Sequence, residues 1–265
     1  MPNFFVFIVI NHLVKIYIVK LYNGIITIIM KKINLIFVFS VIVLGSVKFS
    51  LAQSEINQMD NEGKHHGVWR KYYNNNRIRY EGQFSHGKEI GTFKFYSAAN
   101  SDHPTVIKEF NKENSLANVS FYTDNGYLLS KGMMEGKDRV GKWLFFHEDG
   151  KNIMSEENYV HGKLHGEYKT FYKSGKPTEI AYYKNGLLDS IYRKYSIKGH
   201  LYQHFSYKEG KLNGKAVYYN RKTGSLTTKG LFRDDVRVGI WENYIDGELI
   251  STEEPALKKE RVKTQ

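Results

Sequence analysis

The sequence has no cysteine and only four prolines among its 265 residues. The absence of cysteine excludes disulfide bonds, Cys-ligated zinc, thiol nucleophiles and a lipid-modified cysteine anchor. Residues 1–53 have no acidic residue and carry five lysines. The other 212 residues carry 34 basic and 27 acidic side chains, a formal charge of +7. Because this bias is mild for its length, we expect no nucleic-acid partner.

Residues 30–53 have the organisation of a bacterial secretory signal peptide. A basic start, Met30-Lys31-Lys32, precedes the apolar residues 33–47, and small residues stand at −3 and −1 of a cut after Ala52. The alternative is an uncleaved inner-membrane anchor, although roughly 20 apolar residues are needed to cross a bilayer. We therefore expect export to the periplasm, outer envelope or medium, with anchoring in the inner membrane as the alternative.

Residues 1–29 form a second apolar stretch ahead of this segment. Because a start at Met30 already gives a complete signal peptide, residues 1–29 are interpreted as an upstream extension from a start codon assigned too early. The alternative is an additional apolar membrane segment. Either way, any membrane contact is predicted to be made through the N-terminal apolar region.

The rest of the chain repeats with a period of 24 or 25 residues. Such a period is the signature of a repeat architecture. Units begin at Gly67, Gly91, Leu116, Gly141, Gly166, Ser190, Gly214 and Gly239. The residue five places into each unit is aromatic: Tyr72, Tyr96, Phe121, Phe146, Phe171, Tyr195, Tyr219 and Tyr244. A third column, seven residues before the next unit, holds Phe84, Met134, Tyr159, Tyr183, Tyr207 and Phe232, and the second unit has Glu109 in register with Phe110 beside it.

Two turn signatures per unit divide it into short strands. Asn125-Gly126 and Asp149-Gly150 are typical of the turns at mid-unit, and Asn185-Gly186 of the turns at unit ends. Asn-Gly and Asp-Gly between aromatic or β-branched runs indicate tight hairpins, because these turns need positive φ. The pattern predicts an all-β fold, a repeat array of antiparallel β-hairpins that forms an elongated, twisted meander of sixteen strands over residues 67–252. Residues 54–66 are predicted as a linker and residues 253–265 as a polar tail.

The residue two places into each unit forms the column that bears most on function. It is aromatic in six units, with Asn118 and Ala216 as lapses. One interpretation is an internal ladder of packed rings; the other is an accessible face for a glycan, a lipid headgroup or an extended peptide. Under the second interpretation, the candidate binding-face aromatics are Trp69, Phe93, Trp143, Tyr168, Tyr192 and Trp241.

Ten histidines and several acidic pairs were tested as catalytic or metal-binding groups. His161 and His165 have helical zinc-pair spacing but lie in a turn, and His65, His66, His200 and His204 show no partner pattern. In acidic pairs such as Glu156-Glu157, adjacent strand residues point to opposite faces. The Gly-Lys pairs have the wrong spacing for a phosphate loop. We expect no enzyme, no metal and no cofactor.

Several short motifs resemble MORN repeats. They include Gly67 to Tyr73, read as Gly-x-Trp-x-x-Tyr-Tyr, and the Tyr-x-x-Gly-Lys-x-x-Gly pattern of Tyr159 to Gly166 and Tyr207 to Gly214. The longer units are similar to those of the bacterial YwqK-family antitoxin group, and the resemblance covers residues 64–252. It implies a non-catalytic array that binds protein, lipid or membrane partners. Unit two departs most, because a longer loop replaces its tight turn and Leu116 replaces the glycine that begins the next unit.

Two functions are therefore predicted. The first is an exported, non-catalytic binding or scaffold module for a protein, glycan or lipid partner in the cell envelope. The alternative is an antitoxin or immunity protein of a toxin–antitoxin-like pair, as the resemblance implies. An exported antitoxin requires a toxin that acts in the envelope.

Overall fold

The computed structural model describes residues 20–27, 29–32, 56–111 and 114–255. The chain divides into two units, residues 1–53 and 54–265. In the first unit, residues 20–27 and 29–32 are helical and exposed. None of the helical residues described forms a helix long and apolar enough to span a bilayer. Most of the predicted extension and signal peptide, and the tail beyond residue 255, lie outside the described residues.

The second unit is an antiparallel β-sheet in which each strand pairs with the next along the chain. Its described part contains eighteen strands. Their bounds are β1 Gln58–Met59, β2 His65–Tyr72, β3 Ile78–Ser85, β4 Lys88–Tyr96, β5 Pro104–Phe110, β6 Leu116–Tyr122, β7 Leu128–Glu135, β8 Asp138–Phe146, β9 Ile153–Val160, β10 Lys163–Leu164, β11 Gly166–Phe171, β12 Pro177–Lys184, β13 Leu187–Tyr195, β14 Leu201–Lys208, β15 Lys211–Tyr219, β16 Leu226–Arg233, β17 Val236–Ile245 and β18 Glu248–Glu253.

The predicted all-β hairpin array is confirmed. Strands β2 to β18 account for the sixteen expected strands, since β10 and β11 are two pieces of one interrupted strand and both pair with β9. The additional strand, β1, comes from the predicted linker and pairs with the start of β2. Part of the linker is therefore an ordered cap on the first hairpin.

The unit-end turns have the backbone that the sequence requires. Between β12 and β13, Asn185 and Gly186 have φ of 53° and 87°. Between β9 and β10, His161 and Gly162 have φ of 47° and 73°. Positive φ at both central residues is the type I′ geometry, whose twist matches that of paired strands. These turns fix the register of each hairpin.

The third unit begins one residue later than the sequence period suggests. Val119, rather than Asn118, pairs with Gly132 and is 1% exposed, so Val119 takes the position that Trp143 holds in the next unit. The register shift at Phe121/Tyr122 matches the shift at Phe145/Phe146 with the same offset. The long connection between β5 and β6 absorbs the extra residue. The lapse at Asn118 is therefore an error of alignment, and the column stays apolar.

The sheet has one charged and one aromatic face, because side chains alternate along each strand. On the charged face, Arg70, Glu81 and Lys94 are successive cross-strand partners, and Arg70 lies 2.9 Å from Glu81. Exposed ion pairs of this kind contribute at most about 1 kcal/mol each. The fifth-position Tyr96 lies on this face and donates a hydrogen bond to Glu81 at 3.0 Å. Burial, with Glu81 as a second cause, raises the pKa of Tyr96 to about 12.

The buried core lies on the aromatic face. One cluster combines Ala117, Val119 and Trp143, and another combines Phe205, Ala216 and Trp241. Partly buried rings from neighbouring strands pack around both clusters. Ring-to-ring packing between consecutive hairpins thus supplies the apolar burial that a second layer supplies in other β folds.

Candidate binding face

Burial divides the six candidate aromatics into two groups. Phe93, Trp143 and Trp241 are 1%, 0% and 0% exposed. Trp69, Tyr168 and Tyr192 are only partly buried. The expectation of an accessible face at the first three positions is corrected, because rings without exposed surface cannot contact a partner. Those three rings form an internal ladder.

The buried rings lie flat on glycines of the preceding strand. A Cβ added to Gly132 would lie 2.5 Å from Cδ2 of Trp143, and Gly82 and Gly230 stand in the same relation to Phe93 and Trp241. Arginines cover the outer side of both tryptophans: the Cζ atom of Arg139 lies 4.7 Å from the ring centroid of Trp143, and that of Arg237 lies 4.1 Å from Trp241. Glycine below and guanidinium above remove these indoles from solvent.

The middle of the array lacks this arrangement. Tyr168 and Tyr192 are cross-strand partners of Ala181 on its two sides, and Ala181 is 0% exposed. Its methyl group occupies the space that an indole takes above glycine elsewhere. The two tyrosine rings therefore stay partly exposed on the aromatic face.

Five tyrosines form a continuous surface at this place, which we call the tyrosine strip: Tyr159, Tyr168, Tyr183, Tyr192 and Tyr207. Each is partly buried. Tyr168 and Tyr183 pack edge to face with centroids 5.4 Å apart, and Tyr192 and Tyr207 do so at 5.6 Å. The strip runs across β9, β11, β12, β13 and β14, so each of three consecutive hairpins contributes to it.

Two carboxylates, Glu157 and Glu179, lie among these rings. Tyr159 donates its hydroxyl to Glu157, and Tyr192 donates to Glu179 at 3.1 Å. Burial, followed by the charges of Glu157 and Glu179, raises the pKa of Tyr168 to about 12. Burial and Glu179 likewise raise the pKa of Tyr192. The strip thus presents neutral rings beside hydrogen-bonded carboxylates.

We expect these raised pKa values to make the sheet sensitive to alkali. A tyrosine whose folded pKa exceeds its unfolded pKa contributes stability that is complete below the unfolded pKa of about 10 and is lost above it. For Tyr168 the loss falls between pH 10 and about 12. Absorbance of tyrosinate during an alkaline titration should show a late-ionising group that disappears in Tyr168→Phe. Ionisation of all tyrosines in one step near pH 10 would contradict the burial of the strip.

Sequence reasoning identified Tyr168 and Tyr192 but not the rest of this site. Tyr159, Tyr183 and Tyr207 belong to the third column of the period, and the sequence does not show that this column shares a face with the second. Glu156 and Glu157 do point to opposite faces: Glu156 pairs with Lys142 at 2.8 Å on the charged face. A spacing of two residues from glutamate to tyrosine, as in Glu157 to Tyr159, is the signal that identifies a shared face.

One group of possible metal ligands was also missed. The side chains of Asp60, His66 and His86 each offer a ligand atom, and these atoms lie within 4.8 Å of one another. The interpretation of His66 as a residue without a partner is corrected, because Asp60 lies in the linker, whose fold the period does not predict. Hydrogen bonds from backbone N–H groups, led by that of Lys64, lower the pKa of Asp60. His161 and His165 join no such group within the described ranges.

Comparison with known protein families matches two of the hairpins. Residues 66–86 and residues 164–185 match the family described as MORN repeat variant. The first match covers β2 and β3, and the second covers β11 and β12 with the turns on either side. Both hairpins are similar to MORN repeat variants. MORN repeats are generally binding or scaffold modules, and the all-β fold is compatible with a non-catalytic repeat protein. Comparison with curated proteins gives no match, so the resemblance to the YwqK-family antitoxins stays a prediction.

Proposed function

We propose that the chain is an exported, non-catalytic binding module that holds a protein, glycan or lipid partner of the cell envelope against the tyrosine strip. The observation that carries this proposal is the break in the ladder at Ala181. On either side of the middle hairpins, column-two rings are sealed beneath arginines or packed over glycines. In the middle, five partly exposed tyrosines and two carboxylates share one face.

The chemistry of the strip suits recognition. Tyrosines offer a large rigid ring with few rotatable bonds and a polar end, which is why they are common at binding surfaces. Glu157 and Glu179 add hydrogen-bond acceptors beside the rings. Ring faces with adjacent acceptors fit the apolar faces and hydroxyls of a glycan, and they also fit the side chains and N–H groups of an extended peptide. Export is supported by the basic, apolar and small-residue order of residues 30–53.

Adjacent tyrosines on β12 give a matched test of the proposed face. Tyr183 belongs to the strip, whereas Tyr182 points to the charged face and donates to Glu167 at 3.2 Å. We expect Tyr183→Ala to weaken partner binding at least tenfold, as truncation of an interface aromatic typically does. Tyr182→Ala should leave binding within twofold of wild type. Binding is measured by recovery from envelope extracts on immobilised protein and then by titration with the recovered partner.

Three further arms identify the partner class. Protease treatment of the extract, removal of its glycans, and a switch to vesicles made from its lipids each eliminate one class. Circular dichroism of both variants checks that the sheet is intact. Equal loss of binding in Tyr182→Ala and Tyr183→Ala, with both folded, would show that the strip is not the contact surface.

The antitoxin alternative rests on the resemblance alone. It predicts a toxin that acts in the envelope and is encoded beside this chain. Co-expression of that toxin with the wild-type chain should restore growth, and co-expression with a chain lacking residues 1–53 should not.

A further inference from the structure

The cap on the first hairpin carries a group of side chains that the proposed binding function does not use. Strand β1 pairs with β2 through Gln58 with His66 and Met59 with His65. After β1, the chain makes a tight loop in which the N–H of Asp60 donates to the carbonyl of Lys64 and the N–H of Gly63 donates to that of Asp60. The loop brings the Asp60 carboxylate over the turn between β3 and β4.

The carboxylate of Asp60 is held in place by the backbone. Its Oδ1 accepts hydrogen bonds from the N–H groups of Glu62 and Lys64, both at 2.9 Å. Its Oδ2 lies 2.7 Å from Nδ1 of His86. The side chain of Asp60 is only 10% exposed, whereas that of His86 is 67% exposed. One oxygen is therefore fixed by the loop, and the other faces two imidazoles.

The two histidines come from different segments of the hairpin. His66 lies on β2, and His86 occupies the first turn position between β3 and β4. Their ring centroids are 5.1 Å apart. The N–H of Gly87 donates to the carbonyl of His65 at 2.8 Å, which fixes the turn against β2. Backbone hydrogen bonds thus set the positions of all three groups before any ion is bound.

We propose that Asp60, His66 and His86 bind one Zn²⁺ ion, which pins the β1 cap to the first repeat hairpin. Two imidazoles and one carboxylate are a donor set that suits zinc, with water in the remaining positions. Zinc takes nitrogen and oxygen ligands at about 2.0–2.2 Å. Ligand atoms within 4.8 Å of one another reach a shared ion through small rotations of exposed side chains. Binding displaces the proton that lies between Oδ2 of Asp60 and Nδ1 of His86 and releases it to solvent.

The location gives the ion a structural role. Strand β1 has two residues and pairs only with β2 among the described strands. Short caps of this kind protect the open edge of a sheet from pairing with other chains. An ion that binds only the folded cap stabilises it by mass action. Zinc should therefore raise the hydrogen-exchange protection of residues 57–60.

The test uses the full chain, purified without a histidine tag and stripped of metal, and titrates it calorimetrically with ZnCl₂ and with MgCl₂. We expect one zinc site and no magnesium site. Asp60→Asn keeps the acceptor for the two backbone N–H groups, and His86→Asn keeps a side chain that tolerates positive φ. Each should weaken zinc binding at least about tenfold, since even the loss of an outer-shell partner costs that much.

His161 provides the matched control. It occupies the same His-Gly-Lys turn as His86, with φ of 47° against 49°, and no third ligand accompanies it among the described residues. His161→Asn should leave zinc affinity unchanged. Absence of zinc binding by the wild-type chain, or equal weakening by His161→Asn and His86→Asn, would overturn the proposal.

Discussion

Replacing Gly132 with alanine is expected to lower the free energy of unfolding by about 3 kcal/mol, at the upper end of what overpacking a core costs. The added Cβ would lie 2.5 Å from Cδ2 of Trp143, 2.6 Å from Cε2 and 2.6 Å from Cγ. The ring cannot move away freely, because its Nε1 donates to the carbonyl of Met133 at 2.9 Å and Arg139 stacks on its other side. The clash must therefore shift backbone.

A denaturation experiment in urea, followed by circular dichroism, measures this effect. Ala181→Gly is the matched control, since Ala181 holds the equivalent place under Tyr192 and its loss should cost only about 1 kcal/mol. The double variant Gly132→Ala/Trp143→Ala should recover the cost of the clash, because no ring remains above the methyl group. A loss below 0.5 kcal/mol in Gly132→Ala would contradict the flat stacking of Trp143.

Replacing Trp143 with alanine is expected to cost about 3–5 kcal/mol, the usual range for a fully buried aromatic. Trp143 is 0% exposed and contacts the cluster that includes Val119 and Phe145. Truncating Tyr127, which is 53% exposed, should change stability by less than about 0.5 kcal/mol. Because neighbouring units stabilise one another, the loss should be greatest in β7, β8 and β9, which hydrogen exchange resolves.

The two buried tryptophans should differ when they are changed to phenylalanine. Nε1 of Trp143 donates to Met133, whereas Nε1 of Trp241 is buried and has no acceptor within the described residues. Trp143→Phe loses a hydrogen bond of about 1 kcal/mol, and Trp241→Phe removes an unpaired buried donor. Trp143→Phe should therefore be the more destabilising of the two by urea denaturation. The reverse order would contradict the assigned positions of the two indoles.

The hairpin array was predictable because its causes are local. Asn185-Gly186 and His161-Gly162 need only their own backbone to form type I′ turns, and each turn sets the register of its two strands. The one-residue offset at Val119 was not predictable, because the length of the connection between β5 and β6 decides it. A sequence column cannot show how many residues such a connection absorbs.

The binding face was only partly predictable because burial depends on the residue across the strand. Trp143 and Tyr192 occupy the same column, yet one is sealed over Gly132 and the other is held up by Ala181. The sequence contains both small residues, but only the register pairs each with its ring. The Asp60 group was missed for a similar reason, since its members lie 20 or more residues apart in part.

Site-specific photo-crosslinking in the producing cell tests the central claim most directly. A photoreactive amino acid at position 183 reports contacts on the aromatic face, and the same amino acid at position 182 reports contacts on the charged face. The account predicts a discrete crosslinked product from position 183 and none from position 182. A product from position 182 alone would contradict the claim that the tyrosine strip holds the partner.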